Sequence, residues 1–394
     1  MLVSSQVPWR TGEYFSGGVD AVVAAKAVLV VAALMLALLA PAPVVPRPVG
    51  VRSLVVVLCF ATCSALGGWA TGTLVSSVIL SVRVLLLAVT LLLVHRAYPL
   101  EKSLRALCVV SGLIGVVVAL SGAGSLLSRG RLYGGILPLN PNLIALLIGV
   151  PCMVLVWRVL QRHSRAYEPY LVAALLAITW LTGSRAGLLA LVLAFVVMFL
   201  QARRLPVTVV LLAIAAVPVV AYVTLSTDLV AGYFARGGDH NLTTLNSRTI
   251  AWSSAFTMKT GFWQHWFGAG YATKTVAVSG TYWDTQVLDS SWVSAFVQGG
   301  VVGFALLTVW SVATLVAAFR CPQPWRMLAS ALVVYCLVRS FVMSGLLGSE
   351  VLFVVFLLLS LSVERGSRPA LDAAEDDLRL ARGQVPAESA TISK

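Results

Sequence analysis

Four stretches of this 394-residue chain hold residues able to do chemistry. LTGSRAGLLAL, 181–191, sets Arg185 in a Gly-Ser-Arg-Ala-Gly core between two apolar runs. An arginine at the centre of a membrane helix costs roughly 2.5–3.5 kcal/mol. Either a helix ends here and Arg185 snorkels toward water, or its planar fork holds an anion such as phosphate. RLYGGILPLNPNLIALL, 131–147, offers Arg131, a Gly-Gly turn, and a helix start in which Asn140 fits the cap and Pro141 the first turn. LNSRTIAWSSAF, 245–256, puts Arg248 and Trp252 on one helix face. Such a pair is either a structural cation–ring contact or a phosphate ligand beside a sugar-stacking platform. LDSSWVSAFVQGGVVGFALL, 288–307, begins with a carboxylate, Asp289, suited to cap a helix or to act as a general base, and Trp292 marks an interface.

The elements that must position these residues are membrane helices. The chain is 59% hydrophobic and 11% charged, with a mean hydropathy of +0.93. A soluble domain carries roughly 25% charged residues. Windows of about 20 residues predict roughly eleven spans, within a range of about ten to twelve. The fold class expected is therefore all-α, a polytopic membrane helix bundle. The apolar runs on either side of Arg185 are short, which predicts a break or re-entrant turn there. A membrane bundle over 1–225 is followed by a long loop, 226–290, a second bundle part over 291–363, and a polar tail, 364–394, expected to be largely disordered.

Alternate loops carry the excess of Lys and Arg: Arg47 and Arg52, then Arg96, Lys102 and Arg105, then Arg158, Arg162 and Arg165, then Arg203 and Arg204, then Arg320 and Arg326. That excess places them in the cytoplasm together with the C-terminus. Arg131, Arg185, the long loop, Arg339 and Glu350 then share the outer face. Connections usually run about 4–6 residues, and much longer ones tend to be functional or disordered. This loop holds Trp252, Trp263, Trp266 and Trp283 among alternating apolar and polar residues, so a folded, partly helical lid is expected.

The net charge of +13 does not point to nucleic acid, because most of it is arginine in short loops between apolar runs. Five of the cysteines, Cys59, Cys63, Cys108, Cys152 and Cys336, lie in apolar runs, and Cys321 sits in a short loop. That pattern argues against a disulfide framework and a metal site, and no cofactor is expected.

The order of the four stretches resembles the O-antigen ligase and polymerase superfamily of bacterial envelope enzymes. The residues that carry the resemblance are Arg131 with Pro141 and Asn142; Thr182 to Gly187; Arg248 and Trp252; and Asp289-Ser290 ahead of Gly300 and Gly303. It covers about 131–310. The resemblance implies a metal-independent glycosyltransferase of the bacterial plasma membrane, related to the large membrane glycosyltransferase folds. Such an enzyme takes glycan from a polyprenyl-diphosphate carrier on the outer face and passes it to a glycan or lipid acceptor. Arg185 and Arg248, with Arg131 and Arg339, would hold the diphosphate. Trp252, Trp263, Trp266 and Trp292 would meet sugars or the interface. Asp289 would be the base. It stands where ligases carry a histidine, which leans the resemblance toward a polymerase, and His240 or His265 are the alternative bases. Two other classes suit converging charges as well: a transporter or flippase of lipid-linked sugars, and a non-catalytic envelope assembly subunit.

Overall fold

The computed structural model describes residues 1–10, 21–41, 50–162, 164–202, 248–258, 260–278, 284–323, 325–348 and 350–364. Among these the chain forms α1 (Leu2–Gln6), α2 (Ala21–Leu38), α3 (Arg52–Ala70), α4 (Leu74–Ala97), α5 (Leu100–Ser121), α6 (Ser125–Arg129), α7 (Pro141–Leu160), α8 (Glu168–Leu181) and α9 (Arg185–Gln201). It continues with α10 (Arg248–Thr257), α11 (Phe262–Phe267), β1 (Thr275–Ala277), β2 (Thr285–Val287), α12 (Ser291–Phe319), α13 (Trp325–Ser340) and α14 (Val351–Val363). Six helices are long and apolar enough to cross a membrane: α2, α3, α4, α5, α7 and α12. The remaining apolar helices, α8, α9 and α14, are shorter. The end of the expected first bundle part, 203–225, and the tail from 365 lie outside the described residues.

The bundle is built around α7 and α14. All thirteen residues of α14 are buried, as a helix apolar on every face must be. In α7 everything from Leu143 to Met153 is buried. Small residues let neighbours approach α7, as they do between membrane helices generally. Gly115 of α5 lies against Ile148, and Gly149 leaves room for the Tyr335 hydroxyl, which donates to the Ala145 carbonyl at 3.0 Å. At one end of the bundle Arg158 and Glu168 form a two-pronged ion pair, 2.9 and 3.1 Å, that fixes the end of α7 to the start of α8. The long-loop segment is folded where it is described. β1 and β2 pair antiparallel with Val276 opposite Gln286, a hairpin that the expected all-α fold did not contain. Ala251 and Ala255 of α10 pack with Val276, Val278 and Leu288 onto Val293 and Val297 of α12.

A kink in α12 joins this segment to the bundle. Gly300 has φ 66° and ψ −162°, a conformation open essentially to glycine alone. The break frees carbonyls of the preceding turn from the helix ladder. Val297 and Gln298 instead accept from the backbone N–H groups of Ala269 and Gly270, at 2.7 and 3.2 Å. A Cβ on Gly300 would lie 2.3 Å from the Trp266 carbonyl carbon.

Gly300→Ala is therefore expected to cost at least about 1–3 kcal/mol and to lower the unfolding midpoint in detergent. Gly124→Ala is the control, since nothing lies within 4 Å of the added Cβ, and it should leave the midpoint unchanged.

Candidate functional site

The break expected at Arg185 is present. α8 ends at Leu181, Gly183 turns the chain at φ 63°, and α9 starts at Arg185 with Ser184 as its cap. The Ser184 hydroxyl accepts from the Gly187 N–H at 3.1 Å and donates to Asn142 Oδ1 at 2.7 Å. Asn142 belongs to the first turn of α7, where Asn140 caps the helix by accepting from the Leu143 N–H at 2.8 Å and Pro141 is the first helical residue. The N-termini of α7 and α9 therefore lie side by side. Each helix start carries a positive partial charge, the arrangement that favours an anion.

Three arginines bear on this junction. Arg185 is the first residue of α9 and is half-buried, so it stands at a helix end and not mid-span. Arg131 donates through Nε to the Thr182 carbonyl at 3.3 Å and through Nη2 to the Gly183 carbonyl at 3.4 Å. A cation there suits the carbonyl end of α8. Arg339, in the last turn of α13, is 0% exposed. It donates to the Asn142 carbonyl, to Ser184 Oγ at 3.3 Å, and to Met343 Sδ at 2.9 Å. It sits behind the junction and ties α13 to the starts of α7 and α9.

α13 connects the junction to Asp289. Asp289 follows β2 at the start of α12, but the helix cap is Ser290, with no side-chain cap bond. The capping reading of Asp289 is thus corrected by one residue. Ser291 Oγ donates to the Met343 carbonyl at 2.7 Å and accepts from the Leu346 N–H at 3.1 Å. Trp292 donates to Ser340 Oγ at 2.9 Å and stacks on Phe341, with centroids 5.5 Å apart. It is built into the α12–α13 contact.

The aromatic residues divide. Trp252 is half-buried on the α10–hairpin cluster, and its buried Nε1 has no hydrogen-bond partner among the described residues. Trp263 and Trp266 are exposed on α11, where Trp263 meets Trp69 of α3 edge-on at 6.3 Å. His265 is exposed beside Trp266. Arg248 opens α10, but its side chain lies outside the described residues, as do His240 and Trp283.

Two charged residues join Asp289 that spacing alone did not single out as site residues. Glu350 precedes α14 and lies over Gly345, whose φ of 117° keeps that position free of a Cβ. Its Oε1 accepts from Ser344 Oγ at 3.3 Å. Burial pushes the Glu350 carboxyl up to about 7, Lys274 and Ser344 pull it back, and the nearby Asp289 adds to the rise. Lys274, just before β1, lines a small cavity with Ser291, Ser294, Gln298 and Ser344. Burial lowers its pKa, and Glu350 opposes that shift. The signal for Glu350 in the sequence was a lone acid at the start of an apolar run. Lys274 gave none, because only the hairpin brings it to this point.

With this geometry in place, comparison with known proteins is informative. Residues 169–308 match the O-antigen ligase family. The matched stretch runs from α8 to the first half of α12. It therefore holds the Ser184–Arg185 turn, Arg248 and Trp252, Asp289, and the kink at Gly300. A search among curated proteins finds no match. The chain thus resembles the O-antigen ligase and polymerase superfamily over the part that carries these motifs, and membrane glycan transfer is the general activity this supports.

Glu350 gives a pH test. An unfolded glutamate ionises near 4.5, whereas the folded one holds its proton to about 7. Between those values the folded state binds more protons, so stability falls as pH rises, and above them the full cost of the buried charge remains. Glu350→Gln should remove this slope, which is read as the difference between wild-type and variant unfolding midpoints from pH 4.5 to 7. Parallel profiles would show that Glu350 is not a buried, proton-holding group.

Proposed function

We propose that this protein transfers or polymerises polyprenyl-diphosphate-linked glycan on the outer face of the bacterial plasma membrane, with polymerisation favoured over ligation. The observation that carries the reading is the junction of the α7 and α9 N-termini with Arg185 at its edge, of which the α9 side, Ser184 and Arg185, falls in the stretch that matches the O-antigen ligase family. Two helix starts and an arginine fork suit a diphosphate. Asp289 in place of a ligase-type histidine supports the polymerase.

The reaction is displacement at the anomeric carbon. The acceptor hydroxyl oxygen forms the new bond, the bond from the anomeric carbon to the diphosphate oxygen breaks, and the diphosphate leaves with the electron pair. Asp289 takes the hydroxyl proton. Since the leaving group is already activated, its developing charge is the larger need, and Arg185 and Arg248, with Arg131, answer it. Arg339 acts through Asn142 and Ser184 as a positioning residue. Trp263 and Trp266 anchor the loop at the interface, the common role of exposed tryptophan in membrane proteins. Long loop outside and C-terminus inside follow from the loop charges.

Arg185→Lys should lose most activity, because a point charge replaces a fork. Asp289→Asn should slow turnover by about 100-fold or more. The assay is the length of glycan left on the polyprenyl carrier in a strain lacking the gene, complemented with each variant. Single repeat units on the carrier identify a polymerase, and full-length chains stranded there identify a ligase. An unchanged carrier pool removes the enzyme reading. A fully active Asp289→Asn together with an inactive His240→Ala moves the base to His240.

A further inference from the structure

A concavity that no part of this mechanism uses lies at the end of the bundle opposite Asp289. It is a cavity of about 550 Å³ between the start of α3, the second half of α12 and the end of α14. We propose that it binds an anionic membrane phospholipid, with the phosphate between Arg52 and Arg320 and the acyl chains along α12.

The wall of the groove is a lipid-facing stripe. Val309, Val312 and Val316 follow one another at helical spacing on α12 and are 66%, 55% and 39% exposed. Any membrane helix shows such a face to lipid. The difference here is that the face is concave and ends in two cations. Arg52, in the first turn of α3, and Arg320, the residue that closes α12, both line the cavity and are both exposed. Neither side chain has an acidic partner among the described residues. Glu364 also lines the cavity, and its carboxylate is engaged there by the backbone: it accepts the N–H groups of Arg52 and Ser53 at 3.1 and 2.8 Å, and the Ser53 hydroxyl, not either guanidinium.

The floor is polar, enclosed and internally satisfied. Ser360 accepts from Trp310 Nε1 at 2.8 Å and bonds the hydroxyls of Ser53 and Thr314 at 2.6 and 2.9 Å. This network joins α3, α12 and α14 and fixes the spacing of the two arginines. An apolar groove bordered by fixed cations at one end of a membrane bundle has the chemistry of a phospholipid: phosphate at the charged end, acyl chains along the valines. Free phosphate would use only the arginines and leave the valine stripe without an occupant.

The test uses the full chain purified in a neutral detergent. Retained lipid is measured by native mass spectrometry against phosphatidylglycerol, phosphatidylcholine of the same acyl chains, and inorganic phosphate. Wild type should retain phosphatidylglycerol preferentially. Arg52→Gln and Arg320→Gln should each weaken it roughly fivefold, and the double variant more. Val312→Trp should also reduce binding, because it narrows the groove and leaves both charges in place. Arg185→Lys should bind phosphatidylglycerol as wild type does, which separates this result from the fate of the glycan-transfer reading. Equal retention of phosphatidylcholine, or a double variant that retains phosphatidylglycerol like wild type, overturns the proposal. Inorganic phosphate competing as well as the lipid would overturn the lipid assignment.

Discussion

The buried guanidinium of Arg339 is the constraint on which one end of this bundle depends. A charge taken out of water costs several kcal/mol unless hydrogen bonds replace its hydration. Arg339 is wholly enclosed, so the surrounding chain must supply acceptors, and it does so from two elements far away in sequence, through the Asn142 carbonyl and the Ser184 hydroxyl, and locally through the Met343 sulfur. Those partners exist only if α7 starts where it does, α8 breaks from α9 where it does, and α13 ends beside both. The same hydroxyl caps α9 and bonds Asn142. One serine therefore carries a helix cap, a helix–helix bond and a share of an arginine, and each role restricts the others.

Gly300 makes the second connection, through backbone. Within a membrane a helix ordinarily satisfies its own carbonyls. The kink gives two of these bonds up, and the carbonyls turn to Ala269 and Gly270 of the loop. Gly268, at φ 79°, passes close to Gln298 in the same place. Thr71 and Thr73 of the α3–α4 turn both donate to the Ala269 carbonyl, at 3.1 and 3.0 Å. The loop is thus joined to the kink in α12 by main-chain bonds and to the α3–α4 turn by two threonine hydroxyls, and the first turns of α12, with Asp289 just before them, are held by the same joint.

Much of this was legible in the residues. Asn140-Pro141 and the Gly-Ser-Arg turn are local signals, in which cap, ring constraint and positive φ act within a few residues, and both behave as their types dictate. The apolar periodicity placed the helices for the same reason. Positions that depend on tertiary packing were not legible. Asp289 looked like a cap because a carboxylate before an apolar helix usually is one, yet the helix starts a residue later, after Ser290. The hairpin was missed because TVA and TQV are too short to show a period. Arg339 read as one more cation on a charged face, since nothing in its neighbours announces full burial. Lys274 and Glu350 meet only through the hairpin and the turn before α14.

That meeting bears on how a carboxylate could serve as the base. Two carboxylates close together do not both ionise cheaply. Burial raises the Glu350 carboxyl to about 7, and the nearby Asp289 adds to that rise. Lys274, pulled down by its own burial and held up by Glu350, favours one negative charge in this group. Asp289 is the other carboxylate of this group, and the proposed mechanism uses it to meet the acceptor hydroxyl. The hairpin and the turn before α14 thus bring two acids and a lysine, far apart in sequence, into one electrostatic group, and a change at any of them is felt by the others.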